Sequence, residues 1–101
     1  MFGKLGDMMG KLQEMKQKAD EIKNRLDQVI VNSEGAGGDI KMVMTGNRKL
    51  LRVEIASSLQ HGDKKELEYQ LLKVFNDILS EVEKVNENEM KKAASGILPG
   101  L

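Results

Sequence analysis

The sequence predicts an α+β fold in the order α-β-β-β-α, a three-stranded antiparallel sheet with two long helices. Three observations carry this reading. Apolar residues follow a helical period from Leu5 to Val29, switch to a two-residue period as far as Ile55, and return to a helical period after Asp63. Glycine-containing turns fall where the two-residue stretch reverses direction. No long linker or internal repeat interrupts the 101 residues, so 1–101 reads as a single domain with one modest core.

The first helix is expected over residues 4–30. Leu5, Met8, Leu12, Met15, Ala19, Ile22, Leu26 and Val29 alternate at spacings of three and four, an unbroken a/d heptad stripe. Gly6 and Gly10 loosen its first turns. Such a helix is roughly 39 Å long, more than one small domain covers, so part of it is expected to project or to meet another chain.

Its charges are ordered. With Leu5 at position a, Lys4, Lys11, Lys18 and Arg25 fill every g position, while Lys16 and Lys23 take e positions. Asp7, Glu14 and Glu21 lie at c, and Asp20 and Asp27 at b. Pairing two copies of this helix, parallel or antiparallel, sets basic shoulder against basic shoulder. The stripe is therefore expected to meet a different helix. The second helix is the obvious one, since it carries Asp77, Glu81, Glu83, Glu87 and Glu89 against Lys84.

Residues 29–56 are expected to form the sheet. Val29, Val31 and Ser33 share one face of a first strand, which ends at Gly35-Ala36-Gly37-Gly38. Ile40, Met42 and Met44 alternate with Lys41, Val43 and Thr45 in the second. Gly46-Asn47 turns the chain into a third strand, with Leu51, Val53 and Ile55 on one face. The glycine-rich turn has a structural purpose, since hairpin turns often need positive φ; a phosphate-cradling loop would require GxxxxGK[ST] leading into a helix.

The second helix is expected over 63–94. Asp63 caps it, with Glu66 completing an acidic variant of the capping box. Leu67, Leu71, Val74, Ile78, Val82 and Val85 form its apolar face, widened by Leu72, Phe75 and Leu79. Gly96 and Pro99 are expected to end it, leaving residues 95–101 as a mobile tail.

Composition narrows the function classes. Phe2, Tyr69 and Phe75 are the only aromatics, and seven Met share the work of filling space. The absence of Cys excludes disulfides, thiol catalysis and cysteine metal sites and fits a reducing cytoplasm. No apolar run approaches a membrane span and no signal-peptide core is present, so a cytoplasmic protein without a membrane partner is expected. The only His, His61, sits beside Gly62 in a loop, and Ser57 and Ser58 lack a nearby base. No catalytic residue, metal, cofactor or small-molecule substrate is expected. Sixteen basic and sixteen acidic residues cancel, so a nucleic-acid partner has to be argued from charge arrangement.

The segment from Ser33 through Gly35-Ala36-Gly37-Gly38-Asp39 to Gly46 resembles the glycine-rich hairpin and following strand of the YbaB/EbfC family. Leu51-Arg52-Val53-Glu54-Ile55 is similar to that family's third strand, and Ser58-Leu59 to its following turn. The opening Met-Phe-Gly-Lys and the closing Met90-Lys91-Lys92-Ala93-Ala94-Ser95-Gly96 with Pro99-Gly100 match in the same order. Two departures, Ala56-Ser57 for an Asp-Pro and Thr45-Gly46-Asn47 for an Asn-Gly turn, concern turns and not the fold. The resemblance implies a cytoplasmic, nucleoid-associated, tweezer-like homodimer that binds DNA, altering its conformation or influencing gene expression.

Taken with the charge pattern, this gives DNA and a second copy of the chain as expected partners. Lys4, Lys11, Lys16, Lys18, Lys23 and Arg25 are expected to contact phosphates, with Lys91 and Lys92 as weaker contributors. Low sequence specificity is expected, because no Arg or Asn sits in a recognisable groove-reading module. Met42, Met44, Val53 and Ile55 are expected in the dimer interface. The rival reading is a protein-binding adaptor or chaperone whose heptad helix captures partner helices.

Overall fold

A computed structural model describes residues 2–97 of the chain. The elements are α1 (Phe2–Gln28), β1 (Ile30–Gly35), β2 (Ile40–Thr45), β3 (Leu50–Ile55), α2 (Ser57–Gln60) and α3 (Lys64–Ile97). The α-β-β-β-α order holds, with the single turn of α2 added where sequence suggested only a turn. The boundaries differ in instructive ways. Val29 serves both periods in the sequence but belongs to neither helix nor strand, because α1 ends at Gln28. At the other end α3 runs straight through Gly96 to Ile97, so residues 95–97 are helix and not tail. A single glycine costs a helix only about 1 kcal/mol relative to alanine, too little to break it alone. Pro99 and the rest of the expected tail lie outside the described residues.

The sheet is antiparallel in the order β1-β2-β3. A 3-10 turn over Ala36–Gly38 joins β1 to β2, with Gly37 and Gly38 at positive φ. The register sets Gly35, Ile40 and Ile55 in one row, Ser33, Met42 and Val53 in the next, and Val31, Met44 and Leu50 in a third. Between the pairs Val43–Arg52 and Met44–Leu50 the register slips, leaving Leu51 as an extra residue in β3. That bulge overturns the expected alternation: it puts Leu50, not Leu51, in the row with Met44.

α3 crosses the sheet over β1 and β2. Val74, Ile78 and Val82, four residues apart, form one stripe, and Ile40, Met42 and Met44 alternate along β2 to meet it. All six are buried. Gly35 belongs to this packing, since a Cβ there would collide with the Val74 side chain. Met42 and Met44, expected between subunits, are only 4% and 1% exposed within the single chain. The reason is geometric: they sit on the central strand directly beneath α3, and the chain's own helix uses them.

Beyond this core the molecule is long and thin, 71 × 22 × 19 Å. Its radius of gyration is 19.9 Å, against about 13 Å for a compact domain of 100 residues. The excess comes from the two helices, which run well past the sheet.

Candidate functional site

Among the described side chains, α1 is anchored only near its C-terminus. Ile22 and Leu26 are 6% and 2% exposed, whereas Leu12, on the same stripe, is 64% exposed. Every described side chain from Gly6 to Glu21 is exposed. The heptad stripe is therefore an anchor at one end and an uncovered ridge at the other, with Met8, Leu12 and Met15 in solvent.

The β2–β3 turn holds the anchored end. Gly46 N–H donates to the Leu26 carbonyl at 3.0 Å and to the Val29 carbonyl at 3.1 Å. The Asn47 side-chain amide donates to the Lys23 carbonyl at 2.8 Å and to the Asp27 carboxylate. The same turn grips α3. The Asn86 amide donates to the Gly46 carbonyl at 3.2 Å, and Arg48 donates from Nε and Nη2 to the two carboxylate oxygens of Glu83 at 2.5 and 2.9 Å. Arg48 itself sits at φ +66°, in the left-handed region. Its hydrogen bond holds the Glu83 carboxyl below the usual carboxylate range, and the same bond raises the guanidinium. Sequence reasoning marked Gly46-Asn47 as a turn and set Glu83 against the basic stripe of α1, but had no signal for the pairings of Asn86 with Gly46 and of Glu83 with Arg48, 40 and 35 residues apart.

The expected site residues separate into three groups. Lys11, Lys16 and Lys23 on α1, and Lys91 and Lys92 near the end of α3, are exposed and form no ion pair among the described residues. Lys18 and Arg25 do have partners: Lys18 approaches Glu21 at 3.7 Å and Arg25 meets Glu89 at 3.0 Å. Lys4 lies in the first turn of α1. The structure brings Lys18, Arg25 and Lys92 to one cleft between α1 and α3, but Glu21 and Glu89 line it too. Lys11 and Lys16 stand away from that cleft along α1.

Among the described residues, the expected pairing of the α1 stripe with the acidic stretch of α3 is thus realised only at the Arg25–Glu89 end. The helices run antiparallel there, with Arg25 against Glu89 and Lys18 near Lys92. Most of α1's cations remain turned to solvent. No helix among the described residues is long and apolar enough to cross a membrane.

Comparison with known proteins places this architecture. The model of the YbaB/EbfC DNA-binding family matches residues 1–97. A protein of Hahella chejuensis named nucleoid-associated protein is 36% identical over 95 residues, covering 94% of this chain and 88% of its own. A nucleoid-associated protein of Acinetobacter baumannii is 36% identical over 76 residues, covering 73% of this chain and 70% of its own. Among solved structures, an uncharacterized protein from Helicobacter pylori superposes with a TM-score of 0.78 at 25% identity, covering 91% of this chain and 95% of that one.

Proposed function

Because the chain belongs to the YbaB/EbfC DNA-binding family, we propose that it is a nucleoid-associated protein that binds duplex DNA through the basic shoulders of α1, with little sequence preference and as a homodimer. The observation that carries this reading is the exposure of Lys11, Lys16 and Lys23 along a projecting helix, none of them paired with an acid among the described residues. Long lysine stems on such an arm reach phosphates without needing a fixed base sequence, and each phosphate neutralised releases condensed counterions. The zero net charge is no obstacle, since binding responds to the field at the arm and the acids lie further round the helix. Lys91 and Lys92 add charge where α3 ends beside the arm. The family is described by binding and not by a reaction, and the role proposed is non-catalytic.

The homodimer rests on uncovered surface. The chain exposes 7691 Å², about a third more than the roughly 5,700 Å² expected of a compact monomer of this mass. Part of that excess is apolar. Val53, Leu50, Leu72 and Phe75 are all exposed. The Arg48–Glu83 bond turns the Leu79–Glu83 side of α3 toward β3, so Leu72 and Leu79 lie on the side of the open β3 face. The interface is therefore proposed around Val53 and Ile55, with Leu50, Leu72 and Phe75 in place of Met42 and Met44. Two arms per dimer raise avidity and constrain the path of the bound duplex, a physical route to altered DNA conformation and gene expression.

Fluorescence anisotropy on two unrelated duplexes tests the function. If about six phosphates are neutralised, log affinity falls against log salt with a slope near −5 on both. Salt-insensitive binding, or none, would favour the adaptor reading, in which the Met8–Met15 ridge captures a protein helix.

A further inference from the structure

The uncovered ridge of α1 extends the DNA reading, on which this inference rests. We propose that the projecting half of α1 lies in the major groove, with Met8, Leu12 and Met15 against thymine methyl groups and lysines on both shoulders reaching the phosphates of both strands. The cross-section of the helix supports this. Its centre line is apolar and exposed. Lys11 and Lys18 flank one side and Lys16 and Lys23 the other, while Gln13, Gln17 and Asn24 fall at heptad positions b and f, away from the ridge. Across a major groove the order is the same: phosphates, base edges, phosphates. The groove, about 12 Å wide, admits an α-helix of 10–12 Å diameter.

The chemistry of the ridge then selects the base group. With the amides turned away, no side chain on the centre line can make a base-edge hydrogen bond. The apolar group that the major groove offers is the C5 methyl of thymine. Met8 to Met15 spans roughly 10 Å of helix, about three base steps. Unbranched Met side chains adapt to thymines at varied positions, so the result is a lean toward A·T-rich DNA and not a fixed site. A second helix is a poorer occupant, because copies of α1 would oppose basic shoulders.

The test compares the full chain on a duplex and on the same duplex with uracil replacing every thymine. Loss of the methyl groups should weaken binding about three- to tenfold, with the salt slope unchanged. The triple variant Met8→Ala, Leu12→Ala, Met15→Ala, altered only at exposed helical positions and with side chains too short to reach the base edges, should bind both duplexes equally and at the weaker level. Methylating C5 of cytosine in a G·C duplex should strengthen binding by the wild-type chain but not by the variant. Equal, salt-dependent affinity of the wild type for thymine and uracil duplexes would overturn the groove contact and leave the phosphate reading standing. Absence of salt-dependent binding to either duplex would remove the DNA reading itself. A variant that sediments differently from wild type without DNA would assign the ridge to contact between copies and overturn the proposal.

Discussion

A Cβ added at Gly46 would lie 2.8 Å from the Leu26 carbonyl oxygen and 2.9 Å from Leu26 Cδ2. The first of these atoms is backbone, in the last turn of α1, and cannot move without moving the helix. Gly46→Ala is therefore expected to destabilise the fold by about 1–3 kcal/mol, read from the midpoint of denaturant unfolding at unchanged m-value. Asn47 acts differently. Its amide ties the Lys23 carbonyl and the Asp27 carboxylate to the turn, at an exposed position. Asn47→Ala is expected to cost little global stability and to speed amide exchange in the last turns of α1 before exchange in β2 changes. Equal acceleration in both would contradict a local clasp. The residues that orient the arm were not legible in the sequence. Hydrogen bonds spanning 20 to 40 residues leave no periodic trace, whereas Ile40, Met42 and Met44 announced their burial by alternation alone.

Among the elements, the two helices and three strands were legible because each repeats a pattern long enough to set its period. The boundaries were less so. Val29 satisfies both a helical and a strand period, and Gly96 lies in a helix that other residues sustain. The β3 bulge was invisible, since Leu50 and Leu51 are equally apolar and only the pairing with Met44 shows which one faces the core side. At its start α3 uses Asp63 as expected, the carboxylate accepting from Lys65 N–H at 3.0 Å, but Glu66 accepts from Gln70 and closes no reciprocal box. The Arg48–Glu83 bond joins the hairpin to α3 at an exposed site, so its contribution is small and screened by salt. Glu83 is held below the ordinary range, so that contribution is present in full above the unfolded carboxylate value near 4.3 and is lost as pH falls through the lower folded value. Arg48 stays charged throughout. Glu83→Gln should lower stability slightly near neutrality, where the bond contributes, and converge with wild type in acid, so that its acid limb is shallower, measured by thermal melts from pH 6 to 3. An unchanged acid limb would mean that the bond is not populated in solution.

For the whole molecule, the open face around Val53 and the projecting arm make separate claims. Val53→Asp places a charge in the proposed interface at a position already 42% exposed in the single chain. It is expected to give a monomer that still melts cooperatively, by sedimentation and calorimetry. A dimer of wild-type affinity would move the interface elsewhere. The central claim is that the basic shoulders of α1 bind DNA, a proposal the sequence suggests because heptad positions order the charges that net composition hides. What the sequence left open was which cations the chain's own acids would occupy. Arg25 is taken by Glu89, while Lys11, Lys16 and Lys23 are not taken among the described residues. The most direct measurement is therefore the salt dependence of DNA affinity for Lys11→Gln, Lys16→Gln, Lys23→Gln in one chain. The expected result is affinity weakened about equally on unrelated sequences, a salt slope shallower by roughly 3 per chain engaged, and unchanged melting temperature and dimerisation. Affinity and slope equal to wild type would contradict the account and remove α1 as the DNA-binding surface.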